Sequence, residues 1–172
     1  MRPIDLIRYA LEMSDQFTMP LIEDMRDAPC TAPTPRGGNH PLWVLGHLAF
    51  VEALLACSLM DEPDPLPEYT RLFSYGAEPT GDADDYPKFD EVLATYRRLR
   101  ARNMRLLEQF GDARLDEPVK RPPAGLEDAF RTVGQAFLVV AIHQMNHRGQ
   151  VSDARRAAGR SPLFTPQAEA AA

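Results

Sequence analysis

Apolar residues recur along this chain at spacings of three and four, as they do in helices that bury one face. In the first such segment Ile4, Ile7, Leu11, Leu21 and Met25 share a stripe, which predicts a helix from about Ile4 to Met25. Pro20 should kink or end it, because proline lacks the backbone donor and crowds the preceding turn. Residues 27–38, DAPCTAPTPRGG, read as a loop by composition. A second helix opens at NHPLWVLGHLAFVEALLACSLM, with Asn39 or His40 as its cap and Pro41 in its first turn, and runs to about Met60. Residues 61–86, rich in Pro, Asp and Gly, form a long connection with one short turn of helix near Tyr69–Tyr75. A connection of that length inside a compact domain is usually functional or mobile. The third helix follows Pro87, turns Phe89, Val92, Leu93, Tyr96, Leu99, Leu106 and Phe110 inward, and stops at Gly111. Residues 112–130 are a further loop with prolines. Thr132-Val133-Gly134-Gln135 then fits a capping box, opening a fourth helix that ends at Gly159.

No stretch alternates as a half-buried strand would. The expected fold class is therefore all-α, a four-helix bundle with long connections, as one domain over residues 1–165 with a disordered tail at 166–172. The run AFLVVAI at 136–142 is apolar all round. Either the fourth helix lies at the bundle centre or a second subunit covers its outer side, and a homodimer is the expected state.

Composition narrows the function. The chain has 172 residues, a net charge of −6 and two cysteines, Cys30 and Cys57, without CxxC spacing. Free thiols are expected. No uninterrupted apolar run reaches the roughly 18 residues of a membrane span. Acidic residues interrupt the N-terminus where an export signal would be apolar, so the expectation is a cytoplasmic protein with no membrane partner. The basic run Arg97-Arg98-Leu99-Arg100-Ala101-Arg102 winds around its helix instead of striping it. That reads as a solvated face, and no nucleic-acid partner is expected.

The histidines carry the chemistry. His143 and His147 stand one turn apart, about 40° around the helix and about 6 Å along it, close enough to converge on one ion. In the second helix Val44, His47, Val51, Leu54 and Ser58 make one stripe; in the fourth Ala136, Val140, His143, His147 and Gln150 make another. Three of the four histidines thus face one interior. His40 lies about 10.5 Å up the axis from His47, too far to share its ion, and is read as a helix-start residue. The candidate metal set is His47, His143 and His147. The competing reading is a polar core cluster hydrogen-bonded to Gln144, Gln150 or backbone. Three imidazoles without an obvious fourth ligand resemble a catalytic site, which keeps one position for water or substrate, more than a closed structural one. Iron and nickel accept imidazoles as zinc does. Cys57 and Glu52 are rotated off the His47 stripe, Cys57 as packing and Glu52 turned away from the interior. No general base for water activation is then evident, as a hydrolase would require.

WVLGHLAFVE in the second helix and HQMNHRGQVSDARRAAG in the last resemble the DinB-like (YfiT-like) superfamily of metal-binding four-helix bundles, over nearly the whole chain. The resemblance implies a divalent ion, commonly zinc or nickel with iron or manganese as alternatives, held by His47, His143 and His147. It also agrees with a homodimer. Characterised members include transferases that use low-molecular-weight thiols and mycothiol-dependent isomerases. The implied activity is a thiol S-transferase acting on small electrophiles, a small-molecule substrate meeting a thiol at the metal. A non-enzymatic metal- or ligand-binding protein and a metal-dependent hydrolase are the alternatives.

Overall fold

The computed structural model describes residues 1–163; the tail expected at 166–172 lies outside them. Four long helices and one short one make up the chain: α1 (Pro3–Glu23), α2 (Pro41–Met60), α3 (Pro67–Phe73), α4 (Phe89–Phe110) and α5 (Val133–Ala157). No strand occurs among the described residues, and the all-α bundle expected from the pattern is observed. Pro20 sits in the last turn of α1, which ends three residues on at Glu23, and its carbonyl still accepts from the Asp24 N–H that closes the helix. Thr132 and Gln135 form the capping box of α5, each side chain meeting the other's backbone N–H.

Cross-helix contacts fix the directions. Ser14 meets Gln144 and Asp24 meets Arg155, so α1 and α5 run parallel. His40 meets Tyr86 and Glu52 meets Arg100, so α2 and α4 also run parallel. Asn39 meets Gln150 while His47 meets His143, so α2 and α5 are antiparallel. The bundle is therefore up-down-down-up, and the chain must return along its full length between α2 and α4. That return is the long 61–88 connection. Its length is a topological requirement, and on its way it carries α3 across the N-terminal half of α2.

Helix α2 is the central element. All but Leu54 and Met60 of its residues are buried, because α3, α4 and α5 all pack on it. Two sequence expectations change as a result. Pro41–Met60 is, by length and mean hydropathy of 1.8, apolar enough to cross a membrane, although it is interrupted by small and polar residues; 94% of its most apolar 18-residue window is buried inside the bundle. Glu52 does not turn outward: a helix wrapped on every side has no outward face, and Glu52 is buried against α4.

There Glu52 pairs with Arg100 at 3.0 Å and accepts from Asn103 Nδ2 at 2.6 Å. Arg100 also donates to the Tyr96 hydroxyl and to Gln144, and Gln144 donates to Asp15 at 2.9 Å and accepts from Ser14 at 2.8 Å. This polar cluster ties α1, α2, α4 and α5 together at mid-height. Arg100 is thus not part of a solvated basic face; Arg97 and Arg102 leave the helix in other directions, to Glu23 and Glu62. The AFLVVAI run is buried at Ala136, Phe137, Val140 and Ala141, while Ile142 is 62% exposed. In this single chain its outer side is uncovered.

Candidate metal centre

Each histidine of the candidate set arrives from a helix held in place by its neighbours. His40 caps α2: its Nδ1 accepts from Trp43 N–H at 3.1 Å, and its Nε2 donates to the Thr80 carbonyl at 2.9 Å. The helix-start role expected for His40 is what the structure shows, and its ring is engaged at both nitrogens. One turn on, Trp43 stacks on His47 with ring centroids 4.8 Å apart and planes within 10°. Gly46 has no side chain, so the Phe73 ring of α3 packs directly on α2 beside it. That approach brings the Phe73 carbonyl to 2.5 Å from His47 Nδ1.

The consequence is a defined tautomer. His47 Nδ1 carries the proton it donates to Phe73 O, leaving Nε2 as a lone pair. His147 is fixed in the same way, its Nδ1 donating to Gln150 Oε1 at 2.7 Å, and Gln150 is steadied by Asn39 Nδ2 at 3.2 Å. The Nε2 atoms of His47 and His147 lie 3.2 and 3.1 Å from Nε2 of His143. His143 Nδ1 is buried and has no partner. Three imidazoles thus present their Nε2 edges to one point, with ligand atoms within 4.8 Å of one another.

Burial keeps these rings neutral. It pulls His47 down to about 4 and His143 to about 3, the charges of the neighbouring histidines adding to the effect, and it lowers His147 as well. Facing lone pairs repel unless a proton or a cation lies between them. One proton on His143 Nε2 could bridge, but would leave its buried Nδ1 as an acceptor without a donor. The donor set of three neutral nitrogens with preset tautomers fits a divalent ion.

The surroundings are aromatic. Tyr75, half-exposed at the end of the α3 segment, stands edge-on to His47 at 5.2 Å and lies 6.2 Å from His143. Phe50 lies 5.9 Å from His47 and 6.0 Å from Tyr75. Among the described residues no carboxylate joins the cluster, and Glu52, the one carboxylate on α2, is engaged by Arg100.

All three histidines singled out by spacing are brought together, and His40 is kept apart. Of the polar-core partners weighed, Gln150 does bond the cluster, whereas Gln144 turns the other way into the Arg100 network. Periodicity alone missed the Phe73 carbonyl, Asn39 and Tyr75, which come from loops and helix ends. Gly46 was the available signal, a glycine inside an apolar helix where a neighbour comes close.

Comparison with curated proteins and with solved structures gave no match. The family model of the DinB superfamily, however, matches residues 10–151, a span containing most of all four long helices and the three clustered histidines, and the chain therefore belongs to the DinB superfamily.

Proposed function

We propose that the protein is a divalent-metal-dependent transferase that uses a low-molecular-weight thiol on small electrophiles. The observation that carries this reading is the convergence of three Nε2 lone pairs on one point, with His47 and His147 oriented by Phe73 O and Gln150. His47, His143 and His147 would hold the ion, zinc or nickel being the best suited to three imidazoles. When bound, such an ion lowers the pKa of a thiol and presents it as thiolate at neutral pH. The protein's own residues set the conditions for that chemistry. Trp43 fixes the plane of His47, Phe73 O and Gln150 keep the ligand protons on Nδ1, and Phe50 and Tyr75 exclude water from one flank.

Hydrolysis is the less favoured chemistry, because the buried carboxylate on α2 is engaged by Arg100 and Asn103 and no other joins the cluster among the described residues. The test is metal analysis of protein purified without chelators, followed by turnover with a panel of thiols and a chromogenic electrophile. About one ion per chain, with both ion and turnover lost in His143→Ala, supports the reading. A metal-free protein whose stability is unmoved by zinc or nickel overturns it. A full metal complement without turnover leaves a non-enzymatic binding protein.

The same reading takes the protein as a homodimer. Leu6, Tyr9 and Phe17 on α1 and Ile142 and Met145 on α5 are exposed on two helices packed side by side. Exposed large apolar side chains on two adjoining helices favour burial against a second copy.

A further inference from the structure

The two long connections, residues 61–86 and 112–130, do more than close the chain. Parts of both face the same strip of α2 and wall a cavity of about 360 Å³, within the range of small-molecule sites. Its floor is Phe50, Leu54, Cys57 and Ser58, one face of α2 at helical spacing. Leu54 is the one mid-helix residue of α2 that its neighbours leave only partly buried. Pro122, Pro123 and Ala124 form one wall, and the segment from Asp64 to Thr70 forms the other. Phe50 belongs both to this cavity and to the surroundings of His47 and Tyr75, so its ring stands between the cavity and the histidine cluster.

The chemistry of the lining selects the occupant. Most of the wall is carbon, and the two prolines hold one side stiff. The rim charges are already engaged. Asp64 accepts from Thr70 Oγ1 at 2.6 Å, and Arg121 lies 3.6 Å from Asp61 and donates to the Glu62 carbonyl. Cys57 points its thiol at the Pro63 carbonyl at 3.4 Å, and burial keeps that thiol protonated. The Ser58 side chain remains, only 2% of its residue exposed, lining the cavity with a hydroxyl that makes no hydrogen bond among the described residues. A charged ligand would find only counter-charges already engaged by Thr70, Asp61 and the Glu62 carbonyl, and a wholly apolar one would leave that hydroxyl unmatched.

We propose that this cavity binds an uncharged, largely apolar small molecule carrying one hydrogen-bonding group, such as a carbonyl or nitro oxygen, which meets Ser58. Where the thiol-transferase reading holds, on which this last step rests, the occupant is the apolar body of the electrophile, with its reacting end toward His47. Binding itself does not require the metal.

The test is a fluorescence titration with the neutral apolar probe N-phenyl-1-naphthylamine, and displacement of the probe by nitrobenzene and by benzene. The wild type should bind the probe in the micromolar range. Leu54→Trp, which fills the floor, and Ala124→Trp, which narrows the cavity from an exposed loop position, should each weaken it at least tenfold. Their melting temperatures should remain within a few degrees of wild type. Nitrobenzene should displace the probe at several-fold lower concentration than benzene in the wild type, and Ser58→Ala should remove that difference. His143→Ala should bind the probe within twofold of wild type, so a failed metal centre does not imitate a failed cavity. Absence of probe binding, or binding undiminished in both Trp variants, overturns the proposal. Equal displacement by the two aromatics in the wild type overturns the role of Ser58.

Discussion

The ring of Phe73 occupies the space a side chain on Gly46 would fill: a Cβ built at Gly46 lies 2.3 to 2.5 Å from three of its atoms. One residue later along α2, His47 donates to the carbonyl of that same Phe73. A missing side chain on one helix thus sets the tautomer of an adjacent histidine. In an ordinary helix interior Gly→Ala gains about 1 kcal/mol. Gly46→Ala should instead destabilise by about 1–3 kcal/mol, since overpacking displaces α3. It should also weaken zinc binding, because displaced α3 takes the Phe73 carbonyl with it. Phe73→Leu added to Gly46→Ala should recover part of the stability. Denaturant melts of the three proteins check this, and a stabilised Gly46→Ala would contradict the packing described.

Gln150 plays the same part for His147 from within α5. Its Oε1 accepts from His147 Nδ1 and is itself held by Asn39. Removing a partner of this kind typically costs 10- to 100-fold in metal affinity. Gln150→Ala should show a loss of that size in competition against a chelator, with the melting temperature of the metal-free protein little changed. An unaltered zinc affinity would show that the Gln150 contact does not orient the ligand.

The Arg100–Glu52 pair lies in the middle of the bundle, its side chains 7% and 2% exposed. Its worth is in register between helices more than in net stability, since desolvation offsets most of the attraction. Arg100→Met alone leaves Glu52 buried without its counter-charge and should cost about 3–5 kcal/mol. Arg100→Met with Glu52→Leu should regain most of that loss. A double-mutant cycle in urea checks it; equal destabilisation of the single and double variants would contradict the pair's role.

Much of this was legible in sequence because helices repeat every 3.6 residues. The stripes of α2 and α5 placed His47, His143 and His147 on facing surfaces, and a rise of 1.5 Å per residue separated His40 from them. The stripe argument failed where a helix has no solvent side. Glu52 was read outward from its angle to His47, but α2 is covered all round, and the partner that makes its burial tolerable, Arg100, sits in a run that reads as surface charge. The Phe73 carbonyl was illegible for another reason. Its place depends on the course of a crossover connection, which no local period encodes.

The neutral histidines give the metal-free protein a pH dependence of definite sign. In the unfolded chain each titrates near 6.5, whereas burial holds His47 at about 4 and His143 at about 3 in the fold. Below pH 6.5 the unfolded state therefore binds more protons than the folded one, and stability falls as pH falls. The loss begins near pH 6.5, runs at up to about 1.4 kcal/mol per pH unit for each histidine, and ends for each at its folded value. Urea melts of chelator-treated protein from pH 8 to pH 4.5 should show this fall. His47→Gln with His143→Gln should make it shallower over pH 5–6.5, the remainder coming from His147 and His40, which burial also lowers. A wild-type profile level across that window would contradict the neutral assignment.

The exposed residues of α1 and α5 carry the last expectation. Five of the eight large hydrophobic side chains most exposed among the described residues lie on these two helices: Leu6, Tyr9, Phe17, Ile142 and Met145. The pair runs parallel with Ser14 level with Gln144, which places Ile142 and Met145 at a height between Tyr9 and Phe17, and Ile142 is the most exposed of the five. A two-fold interface repeats each residue, so one substitution per chain introduces two charges into the same contact. The wild type should sediment at micromolar concentration at twice the 19.3 kDa chain mass. Ile142→Glu should shift it to the single-chain mass without lowering the stability of the fold, since that side chain is solvated in the isolated chain. It should leave zinc content unchanged, because His143 and His147 turn toward α2, about 100° and 140° around α5 from Ile142. A wild type that sediments only as a single chain would refute the homodimer.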